Sequence, residues 1–296
     1  MVVYHFGLRQ DGHPRRGKRL RPQLLMRVAR AEGGSAQAAL DAAAAIEILH
    51  NYSLIHDDIE DGDRLRHGRP SLWAKYGIPQ AINTGDALCA LSYLTLLSPQ
   101  SHHLAADIAR LARVLHLANL RMCEGQNLDL GFESARSVSM QDYLTMIDGK
   151  TAALFSAACE MGALCAQCDE KRIEQYAALG RAFGVAFQIR DDILGTWGDR
   201  HVTGKEIGAD IARRKWTFPL VWALSGPYSE PREIIAREYD RARAIDARAV
   251  PEVIAALDAL GSRQAAEQRC QTELDRAQQL AQAAGVPALM EGLLTA

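Results

Sequence analysis

Six cysteines in 296 residues are too sparse for the disulfide framework of a small secreted fold. Cys165 and Cys168 form one CxxC. No second pair or His-x-x-x-His completes a zinc site, and no strand precedes it as in a redox fold, so both read as buried free thiols. No apolar run reaches the ~18 residues of a membrane span. The N-terminal segment has no apolar stretch after its charges, which argues against a signal peptide. Aromatic residues are only 6% of the chain, too thin for a base-stacking surface. Charge of one sign is also missing: 34 Lys and Arg against 36 Asp and Glu leave a net −2, without the excess of a nucleic-acid binder. The 48% hydrophobic and 24% charged content excludes wholesale disorder. The expectation is a globular protein of the cytoplasm with no membrane span.

Strand signals are nearly absent, and helix formers dominate. Residues 35–61 contain neither Gly nor Pro and are mostly Ala, Leu, Ile and Glu, all but Ile strong helix formers. Comparable stretches cover 79–97, 102–126, 140–166, 170–194, 206–224 and 251–284. Ser35, Ser139 and Pro251 mark helix starts. No linker rich in Pro, Gly or Ser divides the chain, and no segment repeats. This pattern predicts an all-α protein, a single domain over residues 1–296 with about ten helices.

Chemistry gathers first at His56-Asp57-Asp58-Ile59-Glu60-Asp61. On a helix, Asp57 and Asp61 share a face about 6 Å apart along the axis. Carboxylates crowded at a helix C-terminus repel one another and the negative end of the dipole. That crowding is costly unless cations sit there, although a solvated acidic helix end is the bland alternative. A second pair, Asp191-Asp192, again closes an apolar helical stretch. Two such clusters facing across a helical cavity would make an all-oxygen site suited to magnesium, which takes few carboxylates and fills its shell with water and phosphate.

Cations collect near loops: Lys18 and Arg21, Arg64, Arg66 and Arg69, Lys150 beside Thr151, Lys205, then Arg213, Arg214 and Lys215. Acid pairs for metal with cations for anions is the composition of a diphosphate site. A nucleotide P-loop fails, because Leu144 stands where Gly149-Lys150-Thr151 would need glycine and Glu206 follows Lys205. Nucleophile elbows and triads have no support either.

With these residues in hand, the sequence resembles the trans-isoprenyl diphosphate synthase (polyprenyl synthetase) family. Seven motifs fall in that family's order: Gly17 to Pro22, Asp57 to Asp61, Arg66 to Pro70, Gly125 to Asp129, Gly149 to Thr151, Phe187 to Asp192 and Thr203 to Lys205. The resemblance implies the isoprenoid synthase fold, helices around a central cavity, and condensation of isopentenyl diphosphate with an allylic diphosphate. It implies that Asp57, Asp61 and Asp191 hold magnesium ions, and that Asp57, Asp61, Asp191, Lys150 and Lys205 form the catalytic set. Arg66, Lys150, Thr151, Gln188, Lys205 and Lys215 would contact the allylic diphosphate or line its side. Lys18, Arg21, His50 and His67 would hold isopentenyl diphosphate. Tyr52 and Ser53 would set chain length: small Ser53, one turn deeper than Asp57, leaves room for a tail. That combination resembles synthases of the C20 product, geranylgeranyl diphosphate, with C15 farnesyl diphosphate the alternative if Tyr52 acts as a floor; Tyr52 as ordinary core packing is the bland alternative. A homodimer is implied as well.

Three departures stand out. Gly195 replaces the last aspartate of the second acidic motif, His67 replaces the second arginine of an Arg-Arg pair, and the family's first helix is short or missing before Gly17. Two rival readings follow: a class I terpene cyclase, which would not need Lys18, Arg21 and His50, and a non-catalytic partner subunit of an active synthase.

Overall fold

The computed structural model describes residues 1–8, 17–98, 105–198, 207–240 and 245–293. Among these the chain is all-α, with one two-stranded ribbon. In chain order the helices are α1 (Val2–His5), α2 (Leu20–Ala31), α3 (Ala36–Glu60), α4 (Leu72–Tyr76), α5 (Ile78–Leu96), α6 (Ala105–Glu133), α7 (Met140–Ile147), α8 (Ala153–Cys165) and α9 (Glu170–Trp197). They continue with α10 (Ala209–Ala212), α11 (Phe218–Ser225), α12 (Glu230–Tyr239), α13 (Val250–Ala259) and α14 (Ser262–Ala283). Between α3 and α4, β1 (Leu65–Arg66) pairs with β2 (Arg69–Pro70). His67 and Gly68 form the turn with φ of 52° and 77°, the positive values a two-residue hairpin turn demands.

The expected helix starts are present. The Ser35 hydroxyl accepts from the Ala38 N–H and the Ser139 hydroxyl from that of Asp142, each satisfying a donor the first helical turn leaves open. Pro251 lies in the first turn of α13, where its missing N–H costs nothing.

Elsewhere the expected stretches are corrected. The helix expected over 206–224 is broken between α10 and α11, because Arg214 turns left-handed at φ 59°. Its guanidinium, 4% exposed, is spent on backbone carbonyls of Glu133, Ala135 and Tyr239. The stretch over 251–284 is two helices divided at Gly261, φ 76°. Helix α12 goes unread in the sequence; its Pro231 sits in the first turn, a helix start rather than a break. Cys168 is half-buried rather than buried.

Contacts group the chain into two compact units. One comprises Met1–Asn119, Ala157–Ala177 and Ala284–Ala296; the other comprises Leu120–Ser156 and Ala178–Ala283. In the first unit α3 packs against α2 and α5. Ile55, Leu72, Ala81 and Leu88 form a satellite core there, covered by Val2, Tyr4, Phe6, Tyr52 and Trp73. In the second unit Tyr143, Ile147, Ala186, Ile189, Phe218, Leu220 and Val221 belong to one core. Burial of such side chains, each contributing roughly 1.5–3 kcal/mol, fixes the helix ends that carry the charged groups. Among the described residues no helix is long and apolar enough to cross a membrane.

Candidate active site

In the first unit, Asp57 lies in the last turn of α3 and Asp61 is its C-terminal cap, donating its backbone N–H to the Asp57 carbonyl at 2.8 Å. The two residues are therefore one turn apart at the same helix end, the register the sequence spacing predicts. Asp58, between them, is used differently. It is 1% exposed and takes three hydrogen bonds of 2.8–3.0 Å from the Nε and Nη2 of Arg66. Burial pushes the Asp58 acid up, and the Arg66 fork pulls it back only in part. Arg66 is thus anchored to Asp58, with Nη2 3.9 Å from Asp57.

Two turns before Asp57, His50 receives a 3.0 Å hydrogen bond on Nε2 from Arg21 Nη1. Burial and the neighbouring Arg21 and Arg66 hold His50 well below the usual histidine range. It is neutral, with its proton on Nδ1, so Arg21 and His50 form one pre-oriented pair of donors. Lys18 and His67 are exposed. Ser53 donates to the His50 carbonyl at 2.8 Å, so its hydroxyl is satisfied within its own helix. Tyr52 meets His56 edge to face and packs on the satellite core.

The second unit carries the other charged set. At residues 148–152 the helix widens into a π-turn, a distortion that often marks functional positions. It passes α6 almost backbone to backbone: a Cβ on Gly125 would stand 2.1 Å from the Lys150 nitrogen, and one on Gly149 2.6 Å from the Arg121 carbonyl. Only glycine allows this approach, and it brings Lys150 to Asp129, one turn after Gly125. The Lys150 ammonium lies 2.5 Å and that of Lys215 3.5 Å from the same Asp129 oxygen. Burial alone would raise the Asp129 acid, but the two lysines outweigh it and hold the carboxyl below the usual range. Thr151 donates to Gln188 at 2.6 Å, and Gln188 donates to Asp192 at 2.9 Å.

Asp192 is the counterpart of Asp58. It is 5% exposed and also accepts from the Tyr143 hydroxyl at 2.5 Å and the Phe218 N–H at 2.8 Å. Burial pushes its acid up to about 7 against those three donors. Asp191, beside it, is exposed. One turn further on, Gly195 has no side chain, and a Cβ there would stand 1.8 Å from a carboxylate oxygen of Asp210. The Asp210 acid group thus fills the space where the side chain of residue 195 would begin.

Lys150 and Lys215 are brought together on Asp129, Thr151 and Gln188 are linked to Asp192, and Arg21 is joined to His50 and Arg66 to the first acidic motif. Lys205 lies outside the described residues. Sequence reasoning missed Asp129, Tyr143 and Asp210; the one available signal was the order Gly125-Gln126-Asn127-Leu128-Asp129. Asp57 and Asp61 are hard oxygen donors one helical turn apart, which suits magnesium. Among the described residues no three or more His, Cys, Asp or Glu side chains gather as a ready-made metal cage, and magnesium binding through one or two carboxylates plus phosphate requires none.

Residues 11–257 match the polyprenyl synthetase family. The chain belongs to that family, the trans-isoprenyl diphosphate synthases. It is 39% identical over 277 residues to a geranylgeranyl diphosphate synthase of Mycobacterium tuberculosis, covering 92% of this chain and 78% of that protein. It is 38% identical over 240 residues to a (2E,6E)-farnesyl diphosphate synthase of Mycobacterium bovis, covering 80% of this chain but only 66% of that one. The polyprenyl synthetase structure from Streptomyces coelicolor A3(2) superposes with a TM-score of 0.88 at 29% identity, covering 99% and 90% of the two chains. The geranylgeranyl pyrophosphate synthetase from Pyrococcus horikoshii gives 0.85 at 30% identity, covering 95% and 86%. The all-α architecture of this polyprenyl synthetase family member is thus that of the isoprenoid synthase fold.

Proposed function

We propose that this chain is a magnesium-dependent short-chain prenyl synthase that joins isopentenyl diphosphate to an allylic diphosphate, with the C20 geranylgeranyl diphosphate as product. The observation that carries this is the shared division of labour in the two acidic motifs. In each, one aspartate is buried and anchored (Asp58 by Arg66, Asp192 by Tyr143, Gln188 and Phe218), while its neighbour Asp57 or Asp191 is the more accessible. A purely solvated acidic end has no need for such anchors.

In this reading Asp57, Asp61 and Asp191 hold the magnesium ions. Bound there, the ions neutralise the allylic diphosphate and make it a better leaving group. Lys150 and Lys215, oriented by Asp129, hold the departing oxygens, with Thr151 and Gln188 beside them; Lys205 joins them by its place in the motif. Lys18, Arg21, His50 and His67 hold isopentenyl diphosphate so that its double bond meets the allylic carbon as the carbon–oxygen bond breaks. The last proton leaves to the released diphosphate, which fits a chain offering no clear general base. We include in the proposal that residues 1–296 act as one prenyl-synthase domain in the cytoplasm. We also include a homodimer, because α5 leaves Ile82, Leu91 and Leu94 exposed and α6 leaves Leu117 exposed.

The C20 product draws support from Ser53, small and internally satisfied, and from Tyr52 packing on the core; the farnesyl-making relatives favour C15 as the second reading. The test incubates purified protein with magnesium, isopentenyl diphosphate and C5, C10 or C15 primers, then sizes the dephosphorylated alcohols. A C20 alcohol, reduced at least a hundredfold by Asp57→Ala, is the expected result. A C15 stop replaces the product assignment. A hydrocarbon formed without isopentenyl diphosphate favours the cyclase, and no product from a folded protein favours a partner subunit.

A further inference from the structure

Residues 1–8 lie outside the segment that matches the family, yet they are built into the isopentenyl side of the first unit. A two-residue hairpin such as β1–β2 has little stability of its own. Strand β1 is tied to α3 through Arg66 and Asp58. Strand β2 is tied to the N-terminal turn. The Tyr4 hydroxyl donates to the Pro70 carbonyl at 2.9 Å, and Arg69 Nη2 donates to the His5 carbonyl at 3.4 Å. The Arg69 guanidinium lies 5.2 Å and the Lys75 ammonium 3.9 Å from the Tyr4 ring centroid, within cation–π range.

The same turn also holds α3. His5 Nε2 lies 3.1 Å from the Asn51 side-chain oxygen, while the Asn51 amide nitrogen donates to Glu47. The Asn51 oxygen is therefore the acceptor and neutral His5 the donor. Burial and the nearby Arg66, Arg69 and His67 keep His5 neutral, its acid lowered to about 4. Asn51 follows His50 directly. One short turn thus bridges the hairpin carrying Arg66 and His67 and the helix carrying His50, which receives Arg21.

We infer that Tyr4 and His5 are positioning residues for isopentenyl diphosphate, because the N-terminal turn sets the spacing between His67 on the hairpin and the Arg21–His50 pair. The inference rests on the proposed roles of His67, Arg21 and His50. It implies a defect confined to isopentenyl diphosphate, because Arg66, given to the allylic diphosphate, is held to Asp58 on α3 by three hydrogen bonds that do not pass through the N-terminal turn.

The experiment compares the full-length chain with Tyr4→Phe, His5→Ala and His5→Gln. Tyr228→Phe, an exposed tyrosine remote in sequence from the hairpin, serves as the control. Calorimetric titration with isopentenyl diphosphate reads binding without turnover, and steady-state kinetics read the KM for each substrate. Tyr4→Phe and His5→Ala are expected to weaken isopentenyl diphosphate three- to tenfold in Kd and KM, the range for one lost hydrogen bond. The allylic KM should stay within twofold, and His5→Gln, which retains a donor for Asn51, should recover most of the loss. Unchanged isopentenyl binding, or an equal loss for both substrates, overturns the inference. Failure of the wild-type chain to make any prenyl product overturns the proposed function instead, and the calorimetric comparison still decides this one.

Discussion

Asp129→Asn removes one charge with almost no change of shape. At an effective dielectric of about 20, a unit pair 3 Å apart attracts by roughly 5 kcal/mol before desolvation is subtracted. Measured losses on removing one partner of a buried pair run about 3–5 kcal/mol. Lys150 and Lys215 are 24% and 17% exposed, so solvent relieves part of the penalty and the lower end, about 3 kcal/mol, is expected. That corresponds to a fall in melting temperature of roughly 6–12 °C. The sign of the pH dependence is fixed as well. The folded Asp129 acid is held below its unfolded value of about 3.9. Its stabilisation is therefore complete above that value and is lost as pH falls through the folded pKa. The gap between wild type and Asp129→Asn should be constant from pH 5 to 8 and narrow progressively as pH falls below 4. Thermal melts across this range, read by circular dichroism, provide the assay. The allylic KM should rise with the loss, because the two ammonium groups no longer share an anchor. A variant melting within 1 °C of wild type at pH 7, or a gap that does not narrow at all as pH falls below 4, refutes the reasoning.

Two further substitutions test the backbone geometry. Gly125→Ala places a methyl 2.1 Å from the Lys150 backbone nitrogen, so urea titration should show a loss near the upper end of about 1–3 kcal/mol and turnover should fall with it. Gly131→Ala on the same helix meets nothing within 4 Å and should instead gain about 0.5–1 kcal/mol. Gly195→Asp restores the family's acidic pattern, but the Asp210 side chain must swing away to admit it, and two carboxylates then crowd one space. It should lower stability by about 1 kcal/mol and fail to improve turnover, as a melt and a product assay would show.

Local instructions were legible in the chain. Ser35 and Ser139 bind the backbone within their own first turns, and Asp57 with Asp61 follows from helix periodicity alone. Ordered motifs carried the family and most of the substrate-facing positions. Misreadings came where a distant partner overruled local preference: Arg214, drawn to three carbonyls far away in sequence, stops a helix that residues 206–224 favour. No sequence rule says which aspartate of an adjacent pair becomes the anchor. Asp58 is chosen because Arg66 folds back across the hairpin, and Asp192 because Tyr143 lies 49 residues away in sequence but 2.5 Å away in space. Asp129 joins Lys150 and Lys215 across separations of 21 and 86 residues. The sequence by itself determined helix content, caps and the inventory of charges, because these depend on neighbours within a turn or two. The pairing of buried charges was decided only by tertiary structure, since desolvation and Coulomb attraction act through space and their balance depends on which groups packing brings within about 4 Å.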